Sequence, residues 1–400
     1  MNIKFIKNRL TFWMIQFCSL LTIFFFSACA SQSSITPTRA AVQDPIEAFK
    51  QEIERLQKKY NIPGMSVVVL QKQQTIFAEG FGYADIENKI PATVDTPYNI
   101  ASLTKTFGAA ILMKLVEEGK LNLQDDMAEL LKDTQFQYDK QTILGYENAC
   151  QEIRKVSRDT SFEYAFLLKD YRCDTRRIEV KHHLTHTAQG VPGDAYRYNG
   201  FLFGFLSLVA EEVSGKNFAE LLVENIIRPL NMTRTVPCIN NDVRQQVIAE
   251  RAKYYKMGFG GDFVPSSYPV KLSSSAGMIS TVLDLTRFDV AMDRNQIVSE
   301  STKALMFSPN ISNSGKPLPY GLGWFVQYHK STKLVWHYGH APRAYSSLIL
   351  KVPAKELTFI LLANSDGASA SFRLGAGNVL NSPFAVLFLN LFTDIGGFQQ

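Results

Sequence analysis

The chain carries little charge of either sign to spare. Its 42 Lys and Arg stand against 37 Asp and Glu, a formal +5 over 400 residues. Lys4, Lys7 and Arg9 account for much of that excess, so the remainder is close to neutral. No basic block or stripe is present, which argues against a nucleic-acid partner. Histidine is scarce, at six. His182, His183 and His186 have no Cys or carboxylate at zinc-site offsets, so no metal or other cofactor is expected. Cysteine is scarce too, at five. Cys18 and Cys29 sit in the N-terminal segment. Cys150, Cys173 and Cys238 remain, an odd number; Cys150 and Cys173 flank one polar segment and could pair. Gly-x-Ser-x-Gly is absent, which argues against an α/β-hydrolase. No internal repeat is evident, and the longest apolar run is at the N-terminus.

That run, Leu10 to Phe26, follows the basic group and is itself followed by Phe26-Ser27-Ala28-Cys29. The order is that of an export signal. Small residues before a cysteine resemble a bacterial lipobox, in which Cys29 would be lipidated after cleavage. An ordinary secretory signal and an uncleaved anchor helix are the alternatives. Each sends the rest of the chain out of the cytoplasm, to the periplasm or cell surface. The lipobox reading adds a membrane anchor. Residues 30–43 are polar, with Pro37 and many Ser and Thr, and read as a tether. The expected organisation is a leader over 1–29, the tether, and a folded domain over 44–400.

Asp44-Pro45-Ile46-Glu47 is a helix start, with an N-cap Asp, Pro in the first turn and Glu three residues on. Met65 to Leu70 and Thr75 to Phe81 read as a hairpin around Gln71-Lys72-Gln73-Gln74. Residues 133–177 are rich in charge and tyrosine and read as an insertion, with a short helix expected over Phe162 to Leu168. Phe201 to Val213, Phe218 to Ile227 and a segment from Thr281 read as helices. Leu334 to Tyr338, Ser346 to Lys351 and Leu357 to Ala363 read as strands, and Phe384 to Phe392 as a closing helix. Strands at both ends with helices between predict an α/β (α+β) fold: an antiparallel sheet flanked by helices, built from both chain ends, with a mainly helical insertion over roughly 90–270.

Ser102-Leu103-Thr104-Lys105 is the one place where a Ser has a Lys three residues on. Leu103, Phe107, Ile111 and Leu115 repeat at helical spacing, so serine and lysine share a face one turn apart. A buried amine there can help remove the proton of a weakly nucleophilic hydroxyl. Other stretches accompany it in order: Ile62-Pro63-Gly64-Met65-Ser66, Gly80-Phe81-Gly82, His182-His183-Leu184-Thr185-His186-Thr187, Ser275-Ala276-Gly277-Met278 and Tyr320-Gly321-Leu322-Gly323-Trp324. Together they resemble the serine β-lactamase and D-alanyl-D-alanine peptidase group, especially its class C-like and esterase branch.

The resemblance implies a serine hydrolase that works through an acyl-enzyme without a cofactor. Ser102 would be the nucleophile and Lys105 its partner. The family's Tyr-x-Asn tyrosine, a general base, falls on Tyr198 when counted back without gaps from Val213-Ser214-Gly215; Tyr196 competes. Lys105 would lower the pKa of that phenol. Gly200 then stands where Asn is usual. Lys-Thr-Gly is absent, and His337-Tyr338-Gly339 takes its place. The backbone amides of Ser102 and His340 would form the oxyanion hole, and Gly200 and Gly339 would border the substrate. His337 and Gly200 favour an ester or small amide over efficient β-lactam hydrolysis; the expected partner is a small-molecule or peptidoglycan-like substrate. A slow binding or sensor protein on the same fold is the alternative.

Overall fold

A computed structural model describes residues 44–137, 143–158, 168–237, 245–269 and 271–395. The leader and tether with Cys29, the loop with Cys238, and all of the expected Phe162–Leu168 helix except Leu168 lie outside the described residues.

The first helix, α1 (Pro45–Lys59), starts as its sequence asks. Asp44 accepts a hydrogen bond from the Ile46 amide, Pro45 opens the first turn, and Phe49, Ile53 and Leu56 form the buried stripe. Two strands follow, β1 (Gly64–Gln71) and β2 (Gln74–Asp85). Lys72 and Gln73 both have positive φ, which gives the tight two-residue turn whose twist suits a hairpin. A short strand, β3 (Ile90–Pro91), ends this half of the sheet. The second half is β4 (Phe325–His329), β5 (Thr332–Ala341), β6 (Tyr345–Val352) and β7 (Leu357–Ala363).

The seven strands lie in the order β4-β5-β6-β7-β1-β2-β3, all antiparallel. The pairing of β1 with β7, from Met65↔Ala363 to Gln71↔Leu357, joins the chain's two ends. This is the antiparallel sheet expected from the sequence. Two-residue periodicity divides its residues between two cores. Val67, Val69, Trp336, Leu350, Phe359 and Leu361 pack beneath α1 and the C-terminal helix Pro383–Phe392. Val68, Leu70, Val335, Ile349, Ile360 and Leu362 face the helices inserted between the sheet halves.

Among those is α2 (Thr104–Glu117), buried almost all round, as a helix wedged between a sheet and other helices must be. Next comes α3 (Gly200–Ser214), capped by the Asn199 side chain and ended by Gly215 in the left-handed region. The third, α4 (Val282–Asp293), is capped by Thr281. It also closes a buried ion cluster in which Lys351 on β6 bonds Asp289, and Asp293 at 3.0 Å. Cys150 and Cys173 are joined in a disulfide. Among the described residues no helix is long and apolar enough to cross a membrane.

Candidate active site

Ser102 sits in a short 3-10 turn, Ala101–Leu103, that runs into α2. It is a turn earlier than a regular helix start. Ala101, just before it, has φ +48°. Such a conformation costs an alanine of order 1 kcal/mol and persists only where the surroundings enforce it. Here they do. The Ile100 amide bonds the Met278 carbonyl at 3.1 Å, and the Ile100 carbonyl accepts from Ser347 Oγ at 2.8 Å.

Gly339 on β5 completes the enclosure. A Cβ there would lie 2.4 Å from the Ile100 carbonyl and 2.9 Å from Ala101 Cβ. Only glycine lets the strand approach the turn so closely. The close neighbour of Gly339 on its Cβ side is the chain's own serine-bearing turn. This brings the residue before Ser102 against the residue before His340. The His340 side chain points away, with Nε2 3.8 Å from an Asp366 oxygen.

Lys105 is completely buried. Its Nζ is 3.0 Å from Ser102 Oγ and donates to the Ser275 carbonyl at 3.0 Å. The Ser274-Ser275 turn reaches the lysine because Gly108 on α2 has no side chain; a Cβ there would meet the Ser274 carbonyl at 2.6 Å. The amine lies 5.2 Å from the Tyr198 ring centroid and 5.4 Å from that of Phe203. Burial lowers its pKa from 10.5 to about 7, because a charge in an apolar surrounding is disfavoured. Near neutral pH a large share of Lys105 is therefore an uncharged amine.

Tyr198 is beside Lys105. Its hydroxyl is buried without a hydrogen-bond partner among the described residues. Burial pushes the phenol well above its ordinary value; Tyr338 adds to the rise and Ser102 opposes it. The expectation that Lys105 lowers this pKa is overturned, since loss of solvation dominates. Tyr198 stays protonated, so Lys105, not the phenol, is the group ready to accept a proton. Tyr196 is committed elsewhere: its hydroxyl donates to the Gly375 carbonyl at 2.9 Å.

The His182–Thr187 segment serves the geometry of this loop. His186 Nδ1 accepts from the Asn199 amide at 3.2 Å, and its ring lies 4.5 Å from that of Tyr198. His183 Nδ1 pairs with the Leu202 carbonyl at 2.7 Å. Asn199 cannot replace the amide missing at 200. Its oxygen caps α3 through the Leu202 amide, and its nitrogen donates to Gln189 Oε1. Gly200 lies next to the lysine; a Cβ there would be 3.5 Å from Lys105 Nζ and 3.7 Å from Ser275 Oγ.

His337 is fully buried on the face of β5 that looks toward the helices. Nδ1 donates to the Tyr338 carbonyl at 2.8 Å, so Nε2 accepts from the Tyr320 hydroxyl at 2.8 Å. Burial, with Lys105 as a second cause, holds its pKa well below the ordinary value. His337 is a neutral ring locked in one tautomer. Ser275 and Tyr320 stood in the sequence only as parts of longer motifs, and no local signal gave either a separate part in the site. Among the described residues no cluster of His, Cys, Asp and Glu could hold a metal ion.

The family model described as Beta-lactamase matches residues 49–382. In sequence the chain is similar to Protein flp of Staphylococcus aureus strain MRSA252, 26% identical over 325 residues. That match covers 78% of this chain but 61% of the relative, so the chain spans about three fifths of that protein's length. In fold it is similar to the octameric penicillin-binding protein homologue from Pyrococcus abyssi, at TM-score 0.67 and 23% identity, over 88% of this chain and 78% of that one. The D-amino acid amidase of Ochrobactrum anthropi SV3 is similar at TM-score 0.61 and 18% identity, over 85% and 97%.

Proposed function

This chain belongs to the beta-lactamase family, a family of serine hydrolases, and from that premise we propose that it cleaves an ester or small amide through an acyl-enzyme on Ser102. The observation that carries the reading is the Lys105 amine, 3.0 Å from Ser102 Oγ and brought to a pKa of about 7. A base works best when its pKa lies near the working pH.

In this reading neutral Lys105 takes the Ser102 proton as Oγ attacks the substrate carbonyl. The amides of Ser102 and His340 hold the oxyanion; the first amides of a helical turn have no carbonyl a turn earlier to bond. Protonated Tyr198 gives its proton to the leaving group, and the Lys105 ammonium restores it. Neutral His337 offers no fixed charge to a substrate carboxylate, and Gly200 offers no side-chain amide. Both favour neutral esters and small amides over β-lactams and D-alanyl peptides. The same two positions motivate a second reading, a slow penicillin-binding-like sensor or binding protein.

A fluorophosphonate probe separates the two. A hydrolase labels on the peptide containing Ser102, loses the label in Ser102→Ala, and turns over a nitrophenyl ester. An inert scaffold does none of these. An adduct on another serine would overturn the assignment.

The proposal extends to location. Export followed by lipidation of Cys29 would tether the domain to a membrane, facing small-molecule or peptidoglycan-like substrates. The Cys150–Cys173 disulfide suits an oxidising compartment. Membrane fractionation of the whole chain and of Cys29→Ala tests it: the protein should leave the membrane fraction when Cys29 is replaced.

A further inference from the structure

Resting on that acyl-enzyme reading, we propose that Gln189 and the segment 169–171 are positioning residues for Tyr198, the group that gives its proton to the leaving group. The Tyr198 hydroxyl has no hydrogen-bond partner among the described residues. No bond at that end fixes where it stands. Its ring lies on that of His186, with centroids 4.5 Å apart, but apolar packing is non-directional. The place of the hydroxyl is therefore set from behind, by the residues on either side of Tyr198.

Both of those neighbours are tied to one short segment. On one side, Arg197 donates to the Asp170 carboxylate at 3.1 Å. On the other, Asn199 Nδ2 donates to Gln189 Oε1 at 2.9 Å, and Gln189 Nε2 donates to the Lys169 carbonyl at 2.6 Å. Gln189 and Asn199 are buried, and buried amides keep their partners, so this relay holds one arrangement. Two further bonds join the same segments. The Gly190 amide donates to the Asp170 carbonyl at 2.9 Å. His183 donates from Nδ1 to the Leu202 carbonyl, so its Nε2 accepts from the Tyr171 hydroxyl at 3.2 Å. Three consecutive residues thus grip the chain from 183 to 202 on both sides of Tyr198.

The gripping segment is itself anchored. Cys173 is joined to Cys150 on the helix Tyr146–Val156, and Asp174 accepts from Arg154 of that helix at 2.9 Å. Asp170 has φ +61°, a conformation that Asp tolerates better than most residues and that lasts where its surroundings enforce it.

The chemistry gives this grip a selective consequence. Proton transfer needs the phenol within hydrogen-bond reach of the leaving oxygen, and a displacement of about 1 Å can cost up to about a hundredfold. An alkoxide is a strong base and does not leave without a proton. A nitrophenolate is a weak base and leaves without one, as does fluoride. Placement of Tyr198 therefore matters for the first and little for the others.

The test is Gln189→Met, which keeps the length of the side chain and removes both of its hydrogen bonds. A methyl ester and a nitrophenyl ester of one acid are compared by kcat/KM, which reports the acylation step. The expected result is a fall of about tenfold for the methyl ester, a change within about twofold for the nitrophenyl ester, and labelling of Ser102 by a fluorophosphonate at the parental rate. Tyr198→Phe should show the same selectivity more strongly. Asp170→Asn is a second variant that does not threaten the fold: the side chain is partly exposed, and Asn also tolerates the left-handed region. It weakens only the tie to Arg197 and should shift the ratio of the two esters in the same direction by less. An equal fall for both esters in Gln189→Met would mean that Gln189 serves the fold alone, and overturns the inference. So does an unchanged kcat/KM for the methyl ester. A parent protein that neither labels at Ser102 nor turns over either ester refutes the acyl-enzyme reading itself, and this inference with it.

Discussion

Replacing Lys105 with methionine keeps the length of the side chain and removes its amine. The structure sets the size of the effect. The amine's pKa falls from 10.5 to about 7 because the site is buried. A folded pKa below the unfolded one means that the unfolded chain binds the proton more readily, so stability rises with pH between the two values. The penalty is absent above about pH 10.5, grows as pH falls, and is complete below about pH 7. At about 1.4 kcal/mol per pH unit it amounts to about 4–5 kcal/mol at pH 7 and about 2 kcal/mol at pH 9. Methionine also leaves the Ser275 carbonyl without its lysine donor, which costs about 1–3 kcal/mol. The net expectation is a Lys105→Met protein more stable than its parent by about 1–4 kcal/mol at pH 7, with the gain nearly gone at pH 9. Urea denaturation at both pH values measures it. A variant less stable than the parent at pH 7, or a difference equal at both pH values, would refute the claim that Lys105 is held at a cost. The same variant should not take up a fluorophosphonate.

Activity should follow the same titration. Ester kcat/KM is expected to rise with pH through a midpoint near 7, as Lys105 loses its proton, and to level off above it; a profile flat from pH 5 to 9 would exclude Lys105 as the base. Tyr198→Phe should lower kcat about a hundredfold. Tyr196→Phe, whose hydroxyl serves the Gly375 carbonyl, should chiefly cost stability, and reversal of the two kinetic results would transfer the proton relay to Tyr196. Asp289→Ala removes one partner of the buried Lys351 and should destabilise the protein by about 3–5 kcal/mol in chemical denaturation; a loss under about 1 kcal/mol would mean that Asp293 alone satisfies the cation.

The fold was legible where local chemistry carries it. Asp44-Pro45 announced α1, Gln71 to Gln74 announced the first hairpin, and the apolar runs at 346–351 and 357–363 announced buried strands. The strand Phe325–His329 escaped because it is an edge strand: short, with Gln327, Tyr328 and His329 facing partly outward, it lacks the apolar run of its neighbours. The candidate site was legible as motifs and opaque as geometry. Ser102 and Lys105 are three residues apart, and a helix alone brings them together. Ser275 reaches Lys105 across 170 residues, and Tyr320 reaches His337 from a separate loop. Neither meeting leaves a local trace. Gly339 was legible as a glycine that something must approach, but not as one approached by Ile100 and Ala101. Protonation was misread at Tyr198 because a sequence shows neighbouring charges more readily than it shows burial.

The pairing of β1 with β7 has a temporal side. The Gly64 amide bonds Asn364 Oδ1 at 2.8 Å, a partner made 300 residues later. While the chain is being synthesised, β1 and β2 have only each other, and a lone hairpin is marginal in water. Pairings so distant in sequence are slow, since a long loop must close before any contact rewards it. The sheet cannot close until Ala363 has left the ribosome, so it stays incomplete for most of the chain's making. This makes the C-terminal region indispensable: a truncation before Leu357 would leave β1 and β6 as open edges, free to pair with other chains.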